Sequence, residues 1–256
     1  MRLDEYLATH NYFDSRTKAK QSIGRGDVYV NGKVSDKPSL SVDPDKISVE
    51  IKAEKDFVSL GGYKLDKALS DFNFGVDNLI CADFGASTGG FTDCLLQRGA
   101  KTVYAIDLND SLLHEKLKND SRVIPVIKNA KAVSIKDFAV KPSLITADLS
   151  FISQTAVIPV FSELLGDGEY LIVLIKPQFE YGEKHKFKNG IIRDDKIRKQ
   201  ICFNIVKFAV SHGFAVKGIT DAPRMADKNV EFLVLFEKNG EQSVDIESDK
   251  FSPLFK

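Results

Sequence analysis

The sequence predicts an α/β fold for most of the chain, with a small α+β domain in front of it. Between about residues 59 and 240, apolar strand-like runs alternate with helical ones, and this alternation builds a mostly parallel sheet with helices on both faces. Residues 1–50 instead show two helical segments followed by short alternating strands. We therefore expect domains at 1–50 and 59–240, a charged linker at 51–58 and a tail at 241–256.

The composition restricts the classes of protein to which the chain can belong. Of its 256 residues, 43% are hydrophobic, and the formal net charge is zero, so any affinity for nucleic acid must come from local patches. The longest apolar runs, YLIVLI and FLVLF, are far shorter than the ~20 residues that span a bilayer. The three cysteines show no metal-ligand spacing. These features predict a cytoplasmic protein with no membrane segment, secretion signal or metal site.

The first domain is expected to contain two helices and a hairpin. Ser15 precedes the second helix as its N-cap, and Gly24 or Gly26 ends it. The run DVYVNGKV then alternates around Asn31-Gly32, a strong signal for a tight hairpin turn. The run KISVEI supplies a last strand.

Basic residues are concentrated on the second helix and the turn after it. Residues 15–37 carry six basic residues and two acids, which is typical either of a solvated helix face or of a surface that follows phosphates. The run SRTKAKQSIGRGDVYVNG, with RLDEYL ahead of it, resembles the S4-type RNA-binding domain. The resemblance covers nearly the whole domain. It implies RNA binding by Arg16, Lys18, Lys20, Arg25 and Lys33.

The second domain is expected to begin its sheet with LICADF. The later strands are predicted at TVYAIDL, RVIPVI, SLITADLSF, YLIVLIKPQF, FAVKGITD and VEFLVLFE. Only the short link APRMADKN joins the last two, so the final strand should run antiparallel to the others. In such a sheet the ligand lies at the carboxyl ends of the parallel strands, and the antiparallel strand presents its amino end there.

The stretch DFGASTGGFTD is predicted to form a glycine turn that opens a helix. It lacks the G-x-G-x-x-G spacing of dinucleotide binders and the Lys-Ser/Thr of a phosphate-binding loop. Asp83 precedes the turn, and Asp107 ends the next strand, where a carboxylate can bind ribose hydroxyls. Acids beside the turn suit a cationic ligand, and the loop N–H groups suit a carboxylate. The pattern favours S-adenosylmethionine over a plain βα turn, with candidate contacts at Asp83, Gly85, Ala86, Ser87, Thr88, Gly89, Gly90 and Asp107.

Four charged residues occupy positions where chemistry is expected. Lys64 lies in the helical run GGYKLDKAL, Asp148 and Lys176 end two parallel strands, and Glu231 begins the antiparallel strand. The last three therefore converge on the edge that carries the glycine turn. Lysine and glutamate are almost never buried unpaired, although each residue alone could reach solvent from the rim. No His/Cys/Asp cluster with metal-ligand spacing accompanies them.

Lysine, aspartate, lysine and glutamate in this order resemble the tetrad of RNA ribose 2′-O-methyltransferases. The motifs GGYKLDKAL, DFGASTGGFTDCLLQRGA, ADLSFIS, LIKPQFE, NGIIRDD and NVEFLVLF are similar to the TlyA (hemolysin A) family across essentially the whole chain. The resemblance implies a Rossmann-like methyltransferase that acts on cytidine 2′-hydroxyls of ribosomal RNA, with ribosomal subunits as partners. Lys176 is expected to contact the hydroxyl oxygen, as a general base or as a charge that stabilises the alkoxide. Asp148 and Glu231 would orient the two lysines.

The chain departs from the family pattern at several positions. Leu60 and Lys131 stand where arginine is usual, Asn109 stands where glycine is usual, and the link RMADKN before Glu231 contains no glycine. Asn129 matches a family asparagine and is expected at the adenine edge of the cofactor. Because Leu60 and Lys131 fall on the expected RNA and cofactor surfaces, a different RNA target or a weaker activity is compatible with the sequence.

The segment 176–199, KPQFEYGEKHKFKNGIIRDDKIRK, combines charge with aromatic rings. It carries eight basic residues, four acids and Phe179, Tyr181 and Phe187. Basic residues interleaved with aromatics suit an RNA surface on which a base can stack, whereas a mobile charged loop would have the same composition. Its start at Lys176 favours the RNA surface.

Three other functions compete with ribosomal RNA methylation. A membrane-active hemolysin, suggested by the family name, would need an amphipathic or apolar membrane segment, and the sequence offers none. A non-catalytic ribosome-binding or RNA-binding protein would be favoured by loss of a tetrad residue. A small-molecule methyltransferase would not need an S4-type domain. The start at MRLDEYL resembles the shorter form of the family, which is associated with large-subunit RNA.

Overall fold

The structure is a computed structural model that describes residues 1–13, 15–51, 56–182, 187, 190–223 and 228–244. Parts of four predicted segments lie outside these ranges: the linker at 52–55, the basic aromatic segment at 183–186 and 188–189, the link before the last strand at 224–227, and the tail at 245–256. By its internal contacts the chain divides between Asp56 and Phe57. We call the residues before this division the first unit and the described residues after it the second unit.

The first unit consists of two helices and a three-stranded antiparallel sheet. Its elements are α1 (Leu3–Thr9), α2 (Arg16–Arg25), β1 (Val28–Val30), β2 (Lys33–Val34) and β3 (Val49–Ile51), with strand order β2-β1-β3. The predicted cap is confirmed, because Ser15 Oγ accepts a hydrogen bond from the Lys18 N–H, and Gly26 ends α2 at a φ of 82°. Asn31 and Gly32 have φ values of 49° and 77°, the left-handed values that a two-residue hairpin turn requires.

The second unit contains a seven-stranded sheet with helices on both faces. Its elements are α3 (Leu60–Asp71), β4 (Ile80–Phe84), α4 (Gly90–Gln97), β5 (Thr102–Asp107), α5 (Glu115–Lys118), β6 (Val123–Ile127), β7 (Leu144–Ala147), α6 (Ile158–Leu164), β8 (Tyr170–Ile175), α7 (Pro177–Glu180), α8 (Asp195–Val210), β9 (Phe214–Asp221) and β10 (Phe232–Lys238). Short 3₁₀ turns lie at Asp110–Leu112, Ala130–Ala132, Ile135–Asp137 and Gln154–Ala156. None of the helices in the described ranges is long and apolar enough to cross a membrane.

The strand order is β6-β5-β4-β7-β8-β10-β9. Strands β4 to β8 pair in parallel, and β10 pairs antiparallel with both β8 and β9. The predicted fold class is therefore confirmed, including the antiparallel last strand. This order brings the carboxyl ends of β4, β5, β7 and β8 and the amino end of β10 to one edge, which we call the carboxyl edge.

The sheet is buried on both faces, which explains why its central strands are continuously apolar. Along β8, Leu171, Val173 and Ile175 join one hydrophobic cluster, whereas Ile172 and Leu174 join the other. The first cluster includes residues of α6 and α8, and the second includes residues of α3 and α4. Because side chains alternate along a strand, one apolar run supplies both cores. The loops at the carboxyl edge thus rest on a rigid support.

Candidate active site

The four residues predicted as catalytic come together as two ion pairs at the carboxyl edge. Lys176 Nζ lies 2.5 Å from Asp148 Oδ1, and Lys64 Nζ lies 2.6 Å from Glu231 Oε2. Asp148 directly follows β7, Lys176 follows β8, Glu231 precedes β10, and Lys64 lies on α3. The Lys176 side chain is 10% exposed and the other three are between 14% and 22% exposed, so all four are largely buried but reachable.

Lys176 has further contacts that the sequence did not indicate. Its Nζ donates a hydrogen bond to Ser150 Oγ at 2.9 Å and lies 5.7 Å from the centre of the Phe179 ring. Asp148 Oδ1 accepts no hydrogen bond from the described part of the chain, so its contact with Lys176 is an ion pair without hydrogen-bond geometry. The ammonium is thus held by a charge, a hydroxyl and a ring, while Asp148 Oδ1 has no hydrogen-bond partner among the described residues.

Gln178 is a second residue that the sequence analysis missed. Its Nε2 donates to Glu231 Oε1 at 3.1 Å. Glu231 therefore binds Lys64 with one oxygen and Gln178 with the other. The sequence offers little indication of this contact. Gln178 is a neutral amide in the motif LIKPQFE, and its partner Glu231 lies 53 positions further along the chain.

The glycine turn after β4 has a backbone that only particular residues allow. Gly85, Ser87 and Gly89 have φ values of 85°, 49° and 92°. A Cβ atom on Gly85 would lie 2.6 Å from the backbone oxygen of Asp148, so this position also excludes any side chain by contact. The turn therefore passes directly against the residue that follows β7.

Asp107 has the geometry expected for a ribose-binding acid. Its Oδ2 accepts a hydrogen bond from the Ser87 N–H at 2.8 Å, and its Oδ1 accepts one from the Leu108 N–H at 2.7 Å. Each oxygen has two lone pairs, so both can still accept a hydroxyl. The Asn129 Oδ1 accepts from the Lys131 N–H at 3.0 Å, which leaves the amide nitrogen of Asn129 to donate to a ligand.

Two cavities adjoin this part of the carboxyl edge. A cavity of about 550 Å³ is lined by Asp107, Asn129, Asp148 and neighbours, and one of about 160 Å³ is lined by the glycine turn and Lys176. We call them the larger and the smaller cavity. Seven of the nine predicted cofactor contacts line one or both of them, namely Gly85, Ala86, Ser87, Thr88, Gly90, Asp107 and Asn129.

Asp83 is placed differently from the expectation. Its side chain is completely buried, and its two oxygens accept hydrogen bonds from the Thr92 and Thr146 hydroxyls at 2.7 and 3.0 Å. Burial raises the pKa of Asp83 to about 7, with these hydrogen bonds opposing the shift. We had expected Asp83 to present a charge to the cofactor site. Its side chain instead joins β4 to α4 and β7 beneath the turn and lines neither cavity.

Gly89, also predicted as a contact, packs towards Leu117 rather than into a cavity, since a Cβ there would lie 2.1 Å from the Leu117 side chain.

An aromatic surface lies next to Lys176. The predicted residues Phe179, Tyr181 and Phe187 are joined there by Phe151, which is 79% exposed and whose ring centre lies 4.9 Å from that of Phe179. Tyr181 and Phe187 form a second pair at 5.0 Å. Phe151 has a φ of 66°, an uncommon and strained value for a bulky residue. The sequence gives no sign of this conformation, because no glycine marks it.

The five basic residues predicted to bind RNA have different environments in the first unit. Arg16 and Lys20 lie 3.3 and 3.7 Å from the buried carboxylate of Asp4, which also binds Arg2 at 3.0 Å. The Arg25 guanidinium lies 2.6 Å from Asp27 and is only 16% exposed. Lys18 and Lys33 are exposed. Arg16 and Lys20 thus belong to a half-exposed cation cluster, whereas Arg25 is largely neutralised.

Among the described residues, no group of three or more His, Cys, Asp or Glu side chains is placed to hold a metal ion.

Comparison with family models matches residues 57–238 to the FtsJ-like methyltransferases and residues 1–47 to the S4 domain. Hemolysin A of Brachyspira hyodysenteriae is 44% identical over 240 residues, covering 92% of this chain and 99% of that protein. The chain belongs to the TlyA (hemolysin A) family of FtsJ-like methyltransferases.

Three further proteins are similar to this chain to different degrees. The 16S/23S rRNA (cytidine-2′-O)-methyltransferase TlyA of Mycobacterium tuberculosis is 34% identical over 236 residues, covering 91% of this chain and 88% of that protein. A solved hemolysin candidate from Streptococcus thermophilus is 37% identical with a TM-score of 0.74, covering 100% of this chain and 94% of that one. A solved S-adenosylmethionine-dependent methyltransferase from Mesorhizobium loti, 15% identical with a TM-score of 0.52, covers 70% of this chain and 100% of that one and shows the shared fold alone.

Proposed function

We propose that this protein transfers the methyl group of S-adenosylmethionine to the 2′-hydroxyl of a cytidine in ribosomal RNA. The observation that carries the proposal is the Lys176–Asp148 pair in the wall of the cavity lined by the glycine turn, with the Lys64–Glu231 pair joined to Gln178, two residues from Lys176. The FtsJ-like domain supports methyl transfer, and the S4 domain supports an RNA substrate. The name of the Mycobacterium tuberculosis relative supports cytidine and ribosomal RNA.

The residues around the two cavities fit S-adenosylmethionine. Asp107 offers two acceptor oxygens for a ribose diol, and Asn129 offers an amide donor for an adenine ring nitrogen. The smaller cavity, lined by the glycine turn, has a polar wall suited to an amino acid group, and α4 begins at Gly90 on that wall. The bound cofactor would supply a methyl group carried on a positively charged sulfur.

The tetrad can prepare a ribose hydroxyl for attack on that methyl group. In this geometry Lys176 donates to the hydroxyl oxygen as an ammonium and stabilises the negative charge that develops there. Asp148 Oδ1, which accepts no hydrogen bond from the described residues, receives the proton that the oxygen loses. The cofactor would supply the methyl carbon to which this oxygen bonds, and the bond from that carbon to sulfur would break. Lys64 and Glu231 would place the second pair beside this oxygen, and in-line positioning would supply much of the rate.

The test is methyl transfer from labelled S-adenosylmethionine to unmethylated 30S and 50S subunits. Wild-type enzyme is expected to label the RNA of at least one subunit, and Lys176→Ala is expected to lose at least about a hundredfold in rate. Lys101→Ala is the matched control, because Lys101 is exposed and directly precedes β5 at the opposite edge of the sheet.

The result that would contradict the proposal is wild-type enzyme that binds S-adenosylmethionine but labels neither subunit. A protein that binds subunits tightly without labelling them would instead be the non-catalytic ribosome-binding protein considered from the sequence.

A further inference from the structure

A third cavity, of about 320 Å³, lies beside the tetrad and is separate from the residues that fit the cofactor. Its walls in the described part of the chain include four aromatic rings, Phe151, Phe179, Tyr181 and Phe187. We call it the aromatic cavity. It shares only Phe151 with the larger cavity, and it adjoins the tetrad because the Phe179 ring lies 5.7 Å from Lys176 Nζ. A concave aromatic site of this size suits a nucleobase taken out of its stack.

Gln178 places one polar group of fixed orientation on the wall of this cavity. Its amide Nε2 donates to Glu231 Oε1 at 3.1 Å. A carboxylate oxygen only accepts hydrogen bonds, so the nitrogen side of the amide must face Glu231 and the oxygen side must point away from it. The orientation of this amide is therefore dictated by its partner.

The oxygen of this amide has no hydrogen-bond partner in the described part of the chain. Gln178 Oε1 is one of four buried side-chain atoms there that lack one; the others are Asp148 Oδ1, Gln154 Oε1 and Arg198 Nε. Of the four residues, Gln178 lines the aromatic cavity. Buried acceptors are normally paired, so an unpaired one on a residue that lines a cavity marks a place where a ligand supplies the donor.

We propose that Gln178 accepts a hydrogen bond from the exocyclic amino group of the target base and thereby selects cytosine over uracil. Cytosine presents an N4 amino donor at the position where uracil presents the O4 acceptor. With its nitrogen held by Glu231, the Gln178 amide cannot rotate to donate to O4 without breaking that bond. The inference rests on the proposed function, because the base reaches this cavity only if its ribose lies at Lys176.

The test compares RNAs that differ only at the methylated position. The position is first located by primer extension on labelled RNA, and subunits are then reconstituted with cytidine or uridine there. Wild-type enzyme is expected to prefer cytidine in kcat/KM by at least about tenfold. In Gln178→Met, which keeps the length of the side chain but has no acceptor oxygen, this preference should fall at least about tenfold.

Two further variants separate base selection from support of the tetrad. Gln178→Lys keeps a donor for Glu231 and removes the acceptor, so it is expected to shift the preference towards uridine. Gln200→Ala is the matched control, because Gln200 is exposed on α8 and bonds only Asn204 among the described side chains. It is expected to keep the wild-type preference.

A measurement on the unaltered enzyme covers the case in which a Gln178 variant does not fold. RNA with pyrimidin-2-one at the target lacks both N4 and O4, and wild-type enzyme is expected to methylate it at least about tenfold more slowly than cytidine RNA. Equal rates on these two RNAs would overturn the proposal, as would a Gln178→Met enzyme that slows cytidine and uridine RNA by the same factor. Absence of labelling on every RNA, with cofactor binding intact, would overturn the proposed function and this inference with it.

Discussion

Two carboxyl groups, one in each unit, are completely buried, yet their surroundings are opposite. Asp4 in the first unit contacts three cations, Arg2, Arg16 and Lys20. Asp83 in the second unit accepts hydrogen bonds from two neutral threonine hydroxyls. An aspartate with no exposed surface of its own is therefore surrounded by charges in one unit and only by neutral dipoles in the other.

The consequence is that the two acids have pKa values shifted in opposite directions. Burial raises the pKa of Asp83 to about 7. Burial also acts to raise the pKa of Asp4, but hydrogen bonds from Arg2 and Arg16, together with their charge, outweigh it and lower the pKa below its usual value. The comparison teaches that the partners of a buried acid set its charge state. Among the described residues Asp148 and Glu231 each pair with one lysine, and their side chains are 21% and 14% exposed.

The largest effect is expected from Asp83→Asn, which removes the ionisable group while the amide can still bond both threonine hydroxyls. The folded-state pKa of about 7 exceeds the usual 3.8, so wild-type stability is fully present below pH 3.8 and is lost as the pH rises through 7. Relative to the variant, the loss should reach up to about 4 kcal/mol at pH 8. Urea unfolding of both proteins from pH 3.5 to pH 8 measures it. A difference that stays constant with pH would contradict this assignment.

The next effect concerns Glu231, which pairs with one cation, Lys64, among the described residues. Lys64→Met leaves Glu231 with Gln178 as its partner in that part of the chain and removes a positive charge beside the expected hydroxyl, so kcat should fall about a hundredfold. Affinity for S-adenosylmethionine should be unchanged, because Lys64 lines neither the larger nor the smaller cavity. Single-turnover methylation and calorimetry measure the two quantities.

Lys67→Met is the control for this variant, since Lys67 lies one turn further along α3 and pairs with Asp71 and Asp221. We expect it to change kcat by less than about threefold, within the range of surface substitutions. An equal loss of kcat in both variants would mean that the position of α3, and not the Lys64 charge, is what the reaction needs.

Much of this arrangement could be predicted from the sequence because strand ends mark the carboxyl edge. Asp107, Asp148 and Lys176 each terminate an apolar run, and a parallel sheet brings such positions together whatever the loops do. The glycine turn could also be predicted from the sequence. The spacing of its glycines excluded a dinucleotide-binding turn, and the residues after it excluded a phosphate-binding loop. Local patterns therefore indicated the residues of the tetrad and most of the walls of the larger and the smaller cavity.

The direction of individual side chains could not be predicted in the same way. Residues 81–84 of β4 are all buried, so alternation along this strand carries no signal for which way Asp83 points. The contact of Gln178 with Glu231 joins residues 53 positions apart and depends on the pairing of β8 with β10. The strained backbone of Phe151 is likewise held by tertiary structure and not by its own sequence.

The smallest effect is expected at the acid with the most cations. Asp4→Asn should destabilise the first unit by about 2 kcal/mol, less than for a fully buried pair, because its cations are about half exposed and regain water. The folded-state pKa of Asp4 is lowered, so the advantage of wild type is present above pH 3.8 and is lost as the pH falls through the folded-state value. Hydrogen exchange of the backbone amides of residues 3–51 measures the stability of this unit within the intact chain.

Asp36→Asn is the control, because it removes the same charge from an exposed position. Its stability should stay within about 0.5 kcal/mol of wild type. If the amides of this unit are equally protected in the two variants, the ion pairs of Asp4 with the three cations do not stabilise the first unit. The contrast with Asp83 would then reflect burial alone.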